Sequence, residues 1–335
     1  MILPSPSALG IFFAVLGSAL AAEPTTLLNV SYDVSREFYT SYNAAYAAHR
    51  AQAGLSPITI QQSHGGSSKQ ARAVIDGLEA DVVTMNQDTD IDAIAAAGLI
   101  EKNWKSRLPD GSSPYVSTIV FLVRKGNPKG VKDWDDLVKS DVSVIIPNPL
   151  TSGNGRYSYL GAWAFAQERS PGQPSAPKEF VEALFKNVPL LEAGGRAATN
   201  TFVQKGIGDV LLTFESEVKQ IQTTFDVGSF DVVYPPASIL AEFPVSLVDA
   251  VVDRRGSRAL ANDYLQFLWS EPAQRLAAEQ YLRPRNPTIL AEFAPHFPTI
   301  RLVSVQAAFG TWGDAQKKHF SKDGTFEQIY QTTAR

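Results

Sequence analysis

The stretch "ITIQQSHGGSSKQARAVIDGL", residues 58–78, holds both halves of a β-α unit. Ile58–Ile60 opens a strand, and "SSKQARAVIDGL" from Ser67 onward has helical spacing. Gly65 and Gly66 between them let the backbone come close to whatever lies in front of the turn. Ser67 and Gln70 have the S-x-x-Q spacing of a capping box. Three occupants fit such a turn: a nucleotide phosphate, a catalytic serine, or a smaller anion held on the free N–H groups of the first helical turn.

The same alternation runs outward in both directions. "LLNVSY" (27–32) reads as a strand, and 35–53 as an amphipathic helix with Phe38, Tyr42, Ala45 and His49 on one face. "ADVVTM" (80–85) is a strand and 90–98 an Ala-rich helix. "STIVFLVRKG" (117–126) and "VSVIIPNP" (142–149) are strands, followed by helices at 155–168, 178–187 and 198–205 and the strand "DVLLTF" (209–214). Repeated β-α units predict an α/β fold with a largely parallel sheet under helices. No internal sequence repeat is present.

A chain of 335 residues exceeds what one core usually serves, so two lobes are expected. No linker-like composition separates two halves. A discontinuous division fits: 23–115 plus 246–335 as one lobe and 116–245 as the other. "STIVFLVRKG" and "PVSLVDAVV" would then be a two-strand hinge, with a ligand in the cleft between the lobes.

Composition narrows the partners. Net charge is −4 and no Lys/Arg block occurs, which argues against nucleic acid. Without cysteine there are no disulfides, thiolate metal sites or cysteine nucleophiles. Residues 8–22, "ALGIFFAVLGSALAA", are apolar and contain an A-x-A at Ala19–Ala21. They read as a signal peptide over 1–22 that lacks the usual basic start, and they fall short of the roughly 20 residues a membrane anchor needs.

Four strand-to-helix junctions share one chemistry: "SYDVSRE" (31–37), "HGGSSKQ" (64–70), "TSGNGR" (151–156) and "GGRAAT" (194–199). Each is an ordinary capping turn taken singly. Two fall in each proposed lobe, so together they can surround one small tetrahedral anion. Burying a dianion costs many kcal/mol. Hydrogen bonds to charge contribute roughly 1.5–3 kcal/mol each and a helix terminus roughly 0.3–2, so about six or seven donors offset it.

Enzyme motifs are missing. Gly65–Lys69 does not supply G-x-x-x-x-G-K-[ST], and G-x-S-x-G is absent. "SEVK" (216–219) has S-x-x-K spacing but no K-T-G follows. "DTDID" (88–92) imitates a calcium loop, yet Ala93 and Leu99 stand where Gly and Glu are needed. The histidines at 49, 64, 296 and 319 have no ligand spacing, so no metal or cofactor is expected. An exported hydrolase acting on a sulfo- or phospho-ester is the rival to a binding protein, and no nucleophile with a paired base is legible for it.

Taken in order, "LLNVSYDVSRE", "QSHGGSSKQA", "EADVVTMNQDTD", "STIVFLVRKGNPKGVKDWDDL", "PNPLTSGNGRY", "GIGDVLLTFESEV" and "FGTWGDAQKKHF" resemble the periplasmic sulfate/thiosulfate-binding proteins of ABC importers. The resemblance spans essentially the whole chain after the signal peptide. It implies a class II periplasmic binding protein fold, two α/β lobes joined by a hinge, and a monomer that delivers sulfate or thiosulfate to ABC permease subunits without catalysis. It further implies that Asp33 gives its backbone N–H, Ser67 its hydroxyl and backbone, Ser152 its hydroxyl, and Gly153, Asn154 and Gly195 their N–H groups. Some members carry Gly or Ala at the positions of Asn154 and Gly195, and a backbone donor survives either change. Ser68 is a further possible contact. Sulfate-type members have a Trp where this chain has Phe214, and "YDVSRE", "TSGNGRY" and "FESEV" resemble the thiosulfate branch. A cradle made only of donors would reject hydrogen phosphate, whose proton needs an acceptor, provided the side chain of Asp33, the one carboxylate in this set, faces away.

Overall fold

Two sheets result from this alternation, each buried under helices. The computed structural model describes residues 24–225 and 228–333, so the expected signal peptide lies outside the described residues. The strands are β1 (Thr26–Tyr32), β2 (Thr59–Gly65), β3 (Val82–Thr84), β4 (Tyr115–Arg124), β5 (Val144–Pro147), β6 (Leu191–Glu192), β7 (Val210–Phe214), β8 (Phe230–Val233), β9 (Ala237–Glu242), β10 (Val245–Leu247), β11 (Arg283–Pro284) and β12 (Arg301–Val303).

The first sheet has the order β10-β3-β1-β2. β1 pairs parallel with β2 from Thr26↔Thr59 to Tyr32↔Gly65, and parallel with β3 at Val30↔Val83. The second sheet runs β12-β9-β4-β7-β5-β6, with β8 and β11 also paired to β4. The expectation of a largely parallel sheet holds for β1–β3 and β5–β7. It fails at β4, which is antiparallel to β7, β8, β9 and β11. β4 is apolar and buried along nearly its whole length, as a strand covered on both faces must be.

The hinge differs from the expected pair in one partner. β4 runs beside β9, with Val116 opposite Glu242 and Thr118 opposite Leu240. "PVSLVDAVV" does not continue as a strand: only Val245–Leu247 is extended, paired with β3 in the first sheet, and Asp249–Arg255 is helical. The acidic Asp249 in that helix's first turn suits its N-terminus. Only Phe243 and Pro244 separate β9 in one sheet from β10 in the other.

The tail departs from the expected division of lobes. Residues 246–335 are expected in the first lobe, yet β12 pairs parallel with β9 in the second sheet, Arg301↔Ala237. Beyond it, Phe320 and Phe326 pack on Tyr159 and Phe326 on Phe185, in helices Gly153–Arg169 and Ala176–Lys186. Phe320 and Phe326 are buried there, and burying such a ring is worth roughly 1.5–3 kcal/mol.

Helix packing positions the cradle. On helix Arg36–Gln52, Phe38, Tyr42 and Tyr46 recur every four residues and stack in turn at 5.8 and 6.5 Å, against Tyr264 and Phe267. Helix Gly153–Arg169 is buried almost all round, which suits an element between the second sheet and the tail. A Cβ at Gly161 would stand 2.8 Å from Trp134, and one at Gly155 would stand 2.2 Å from the Pro147 carbonyl oxygen. The glycines of "GNGRYSYLG" therefore bring this helix close to its neighbours.

Candidate functional site

The four turns meet. One cavity between the sheets is lined by Asp33, Val34, Gly66, Ser67, Asn86, Ser152, Gly153, Asn154, Gly194, Gly195, Phe214 and Glu217. It is a small space, far too little for a nucleotide. Asp33, Ser67 and Asn86 follow the C-terminal ends of β1, β2 and β3, where open α/β sheets place their ligands.

The backbone donors follow from where each helical ladder begins. The first ladder bonds are Gln70 N–H to Gly66 O, Arg156 N–H to Ser152 O, and Ala198 N–H to Gly194 O. The N–H groups one to three residues earlier have no intrahelical acceptor. These include Ser67 in the first helix, Gly153 and Asn154 in the second, and Gly195 in the third. Ser152 is a true N-cap, its hydroxyl accepting the Gly155 N–H at 3.4 Å. Gly66, rather than Ser67, caps the helix Ser67–Ile75, and Gln70 turns back to Ser63 at 3.0 Å, so the expected capping box is not formed. Ser67 is thereby free for other work: its hydroxyl accepts the Asn86 N–H at 3.4 Å, while its own proton points at the soft sulfur of Met85, 3.6 Å away.

Ser68 does not line the cavity. Its hydroxyl donates to Asp90 at 2.8 Å and accepts from the Arg156 guanidinium at 3.3 Å. Arg156 also donates to the carbonyls of Pro149 and Leu150. Arg196 meets Glu37 at 3.0 Å on the rim, where Gln220 also donates to Glu37. Both arginines thus sit outside the cavity and bridge the two lobes. His64 orders its own turn through the Tyr32 carbonyl, 3.0 Å from Nδ1.

Phe214 is fully buried, edge-on to Tyr157 and Phe243 at 5.7 and 5.2 Å, and presents carbon to the cavity. Asp33 and Glu217 present carboxyl groups. One Asp33 oxygen accepts the Val34 N–H at 3.0 Å, and a Cβ on Gly194 would lie 3.2 Å from the other. Burial raises the Asp33 pKa above the usual carboxylate range, against the pull of backbone N–H groups and Arg196. Glu217 accepts the Asn154 side-chain N–H at 2.8 Å and the Thr199 hydroxyl at 3.4 Å. Burial, with Asp33 nearby, pushes its pKa up to about 7. Asp33 is therefore not the one carboxylate residue at this cavity, because Glu217 lines it too.

Asn86 and Glu217 lie outside the four turns that the sequence points to. Asn86 had a signal, as a polar residue directly after the buried run "DVVTM". Glu217 had only its position in the first turn of the helix after β7.

Residues 28–283 match the family model described as "Bacterial extracellular solute-binding protein". The chain is 56% identical to the thiosulfate-binding protein of Pseudomonas aeruginosa, over 97% of this chain and 98% of that one. It is 48% identical to the sulfate-binding protein of Escherichia coli, over 96% and 97%. Among solved structures, the sulfate-binding protein SubI from Mycobacterium tuberculosis H37Rv superposes with a TM-score of 0.80 at 31% identity, covering 89% of this chain and all of that one. Two lobes meeting at a cavity lined by helix starts, with likeness along nearly the full length, place the chain in the family of bacterial extracellular solute-binding proteins.

Proposed function

We propose that the protein captures sulfate or thiosulfate in this cavity, outside the cytoplasmic membrane, and hands it as a monomer to an ABC-type permease. The observation that carries the reading is the convergence of Asp33 and Ser67 from one lobe with Ser152, Gly153, Asn154 and Gly195 from the other on one small cavity. The names of the similar proteins support this choice of anions. In this reading Ser67 and Ser152 give hydroxyl donors and the three helix starts give N–H groups. The anion favours the closed state because only there does it meet both lobes.

The serines are poorly set for catalysis. Ser67 is engaged with Met85 and Asn86 and Ser152 with the Gly155 N–H, so neither hydroxyl is matched to a general base. Calorimetry with sulfate and thiosulfate should give one site per chain, and model sulfo- and phospho-esters should survive incubation. Absence of binding by both anions would overturn the reading.

Phe214 bears on the choice between the anions. A terminal sulfur is larger, softer and a weaker acceptor than oxygen, so a ring edge beside it loses less than it would beside oxygen. Thiosulfate should bind at least as well as sulfate, and Phe214→Trp should shift the ratio toward sulfate. A strong sulfate preference in the unaltered protein would refute this part.

A further inference from the structure

An anion site with two carboxyl groups in its wall presents a problem of like charge. Glu217 is the sharper case. It is 3% exposed, and its hydrogen-bond partners, Asn154 and Thr199, are neutral. A Cβ on Gly195 would sit 3.0 Å from its Oε1, so Glu217 and the Gly195 amide share one stretch of wall. Asn154 lies within 3.3 Å of the same point, so the carboxyl braces two of the helix starts that face the guest.

We propose that Glu217 is a neutral acid when the cradle holds a dianion, so that capture is linked to a proton on this side chain. This rests on the reading of the cavity as a sulfur-oxyanion site. Two added negative charges beside a buried carboxylate favour its protonated form. The proton removes the repulsion while leaving an oxygen to accept from Asn154. The charged and titratable groups that face Glu217 are few. Asp33 approaches from the turn after β1 and Tyr32 from the end of β1, and Arg196 lies on the helix Gly195–Val203. Arg196 is tied to Glu37 at the rim, and Glu215, on the same helix as Glu217, is tied to Arg283 at 2.6 Å. None of these cations neutralises Glu217 directly. Burial and Asp33 already push the Glu217 pKa up to about 7, and a bound dianion displaces it further upward.

The sign follows by linkage. Below the titration of the free protein Glu217 already carries its proton, and affinity is independent of pH. Above it, each binding event must take up a proton, and affinity falls by up to about tenfold per pH unit until the titration of the complex is passed.

The test is calorimetry of sulfate and thiosulfate on the mature chain from acid to alkaline pH, in buffers of low and high ionisation enthalpy. Expected are a flat affinity at acid pH, a fall above neutrality, and uptake approaching one proton per anion there. Glu217→Gln should bind with pH-independent affinity and no uptake. Anion binding with flat affinity and no uptake in the unaltered protein would overturn the proposal and leave the sulfur-oxyanion reading standing. Uptake that persists in Glu217→Gln would overturn it too, by moving the proton to Asp33. Failure of both anions to bind at any pH would remove the underlying reading. If Glu217→Gln does not fold, carbon-13 NMR of glutamate-labelled protein reads the carboxyl directly. A buried glutamate that titrates higher once sulfate is added supports the proposal, and one that does not move overturns it.

Discussion

On the first-sheet side of the cavity the guest-facing groups come with slack around them, while on the second-sheet side they are backbone packed to contact. A Cβ on Gly66 would meet the Thr151 carbonyl oxygen at 3.5 Å, an ordinary distance. One on Gly153 would stand 2.2 Å from Asn86 Oδ1, and Asn86 is itself buried. The close face is therefore the second lobe's, and it closes directly onto the first. Glycine in "TSGNG" serves the fit between lobes, whereas glycine in "SHGGSS" serves mainly the path of the chain.

The contrast is sharpest in a matched pair. Gly153→Ala should weaken anion binding by about 3 kcal/mol, because the added methyl blocks closure, or roughly a hundredfold in Kd. Gly66→Ala should stay within about 0.5 kcal/mol. Equal losses in calorimetry would break the comparison.

Next in size is a titration on the second lobe. His319 is fully buried among Tyr159, Trp163 and Phe309, and burial lowers its pKa from the ordinary 6.5 to about 3. The folded protein thus refuses a proton that the unfolded chain accepts below pH 6.5, so stability falls as pH drops from there toward 3. Between pH 7 and 5 this removes about 2 kcal/mol. A urea midpoint followed by Trp fluorescence should fall accordingly, with His319→Asn losing less. A midpoint that does not move would place the acid-labile groups elsewhere.

Smaller still is Ser152→Ala, expected to cost about 1–2 kcal/mol in anion affinity through the lost cap and donor. Ser67→Ala should cost no more than that, since Ser67 caps no helix. A larger loss at Ser67 would reverse the ranking of the two sides. The least effect belongs to the rim. Arg196 and Glu37 are 42% and 43% exposed, so Arg196→Gln should change affinity by at most about 1 kcal/mol, and less in high salt.

Much of this was legible because it is local. Strand runs such as "LLNVSY" and "DVLLTF" and the helix starts at Ser67, Gly153 and Gly195 are set by residues within a turn of one another, and they lie within a few residues of where spacing put them. What failed depends on distant partners. "PVSLVDAVV" reads as one strand, but β3 offers edge only to Val245–Leu247, and helix takes over at Asp249. The tail's place on the second lobe rests on Tyr159 and Phe185, more than a hundred residues earlier. Ser68 reads as a further possible contact, but the helix turns it toward Asp90. Glu217 was missed because a carboxylate in an anion site contradicts simple charge counting, and only burial reveals that it need not be charged.

The placement of the tail has a practical consequence. β1 begins at Thr26 in one sheet, and Phe326 is pinned to Phe185 beneath the other. Thr26 and Phe326 therefore ride on opposite bodies. A fluorophore pair attached beside those two residues would report opening as a change in energy transfer, with every cleft residue untouched.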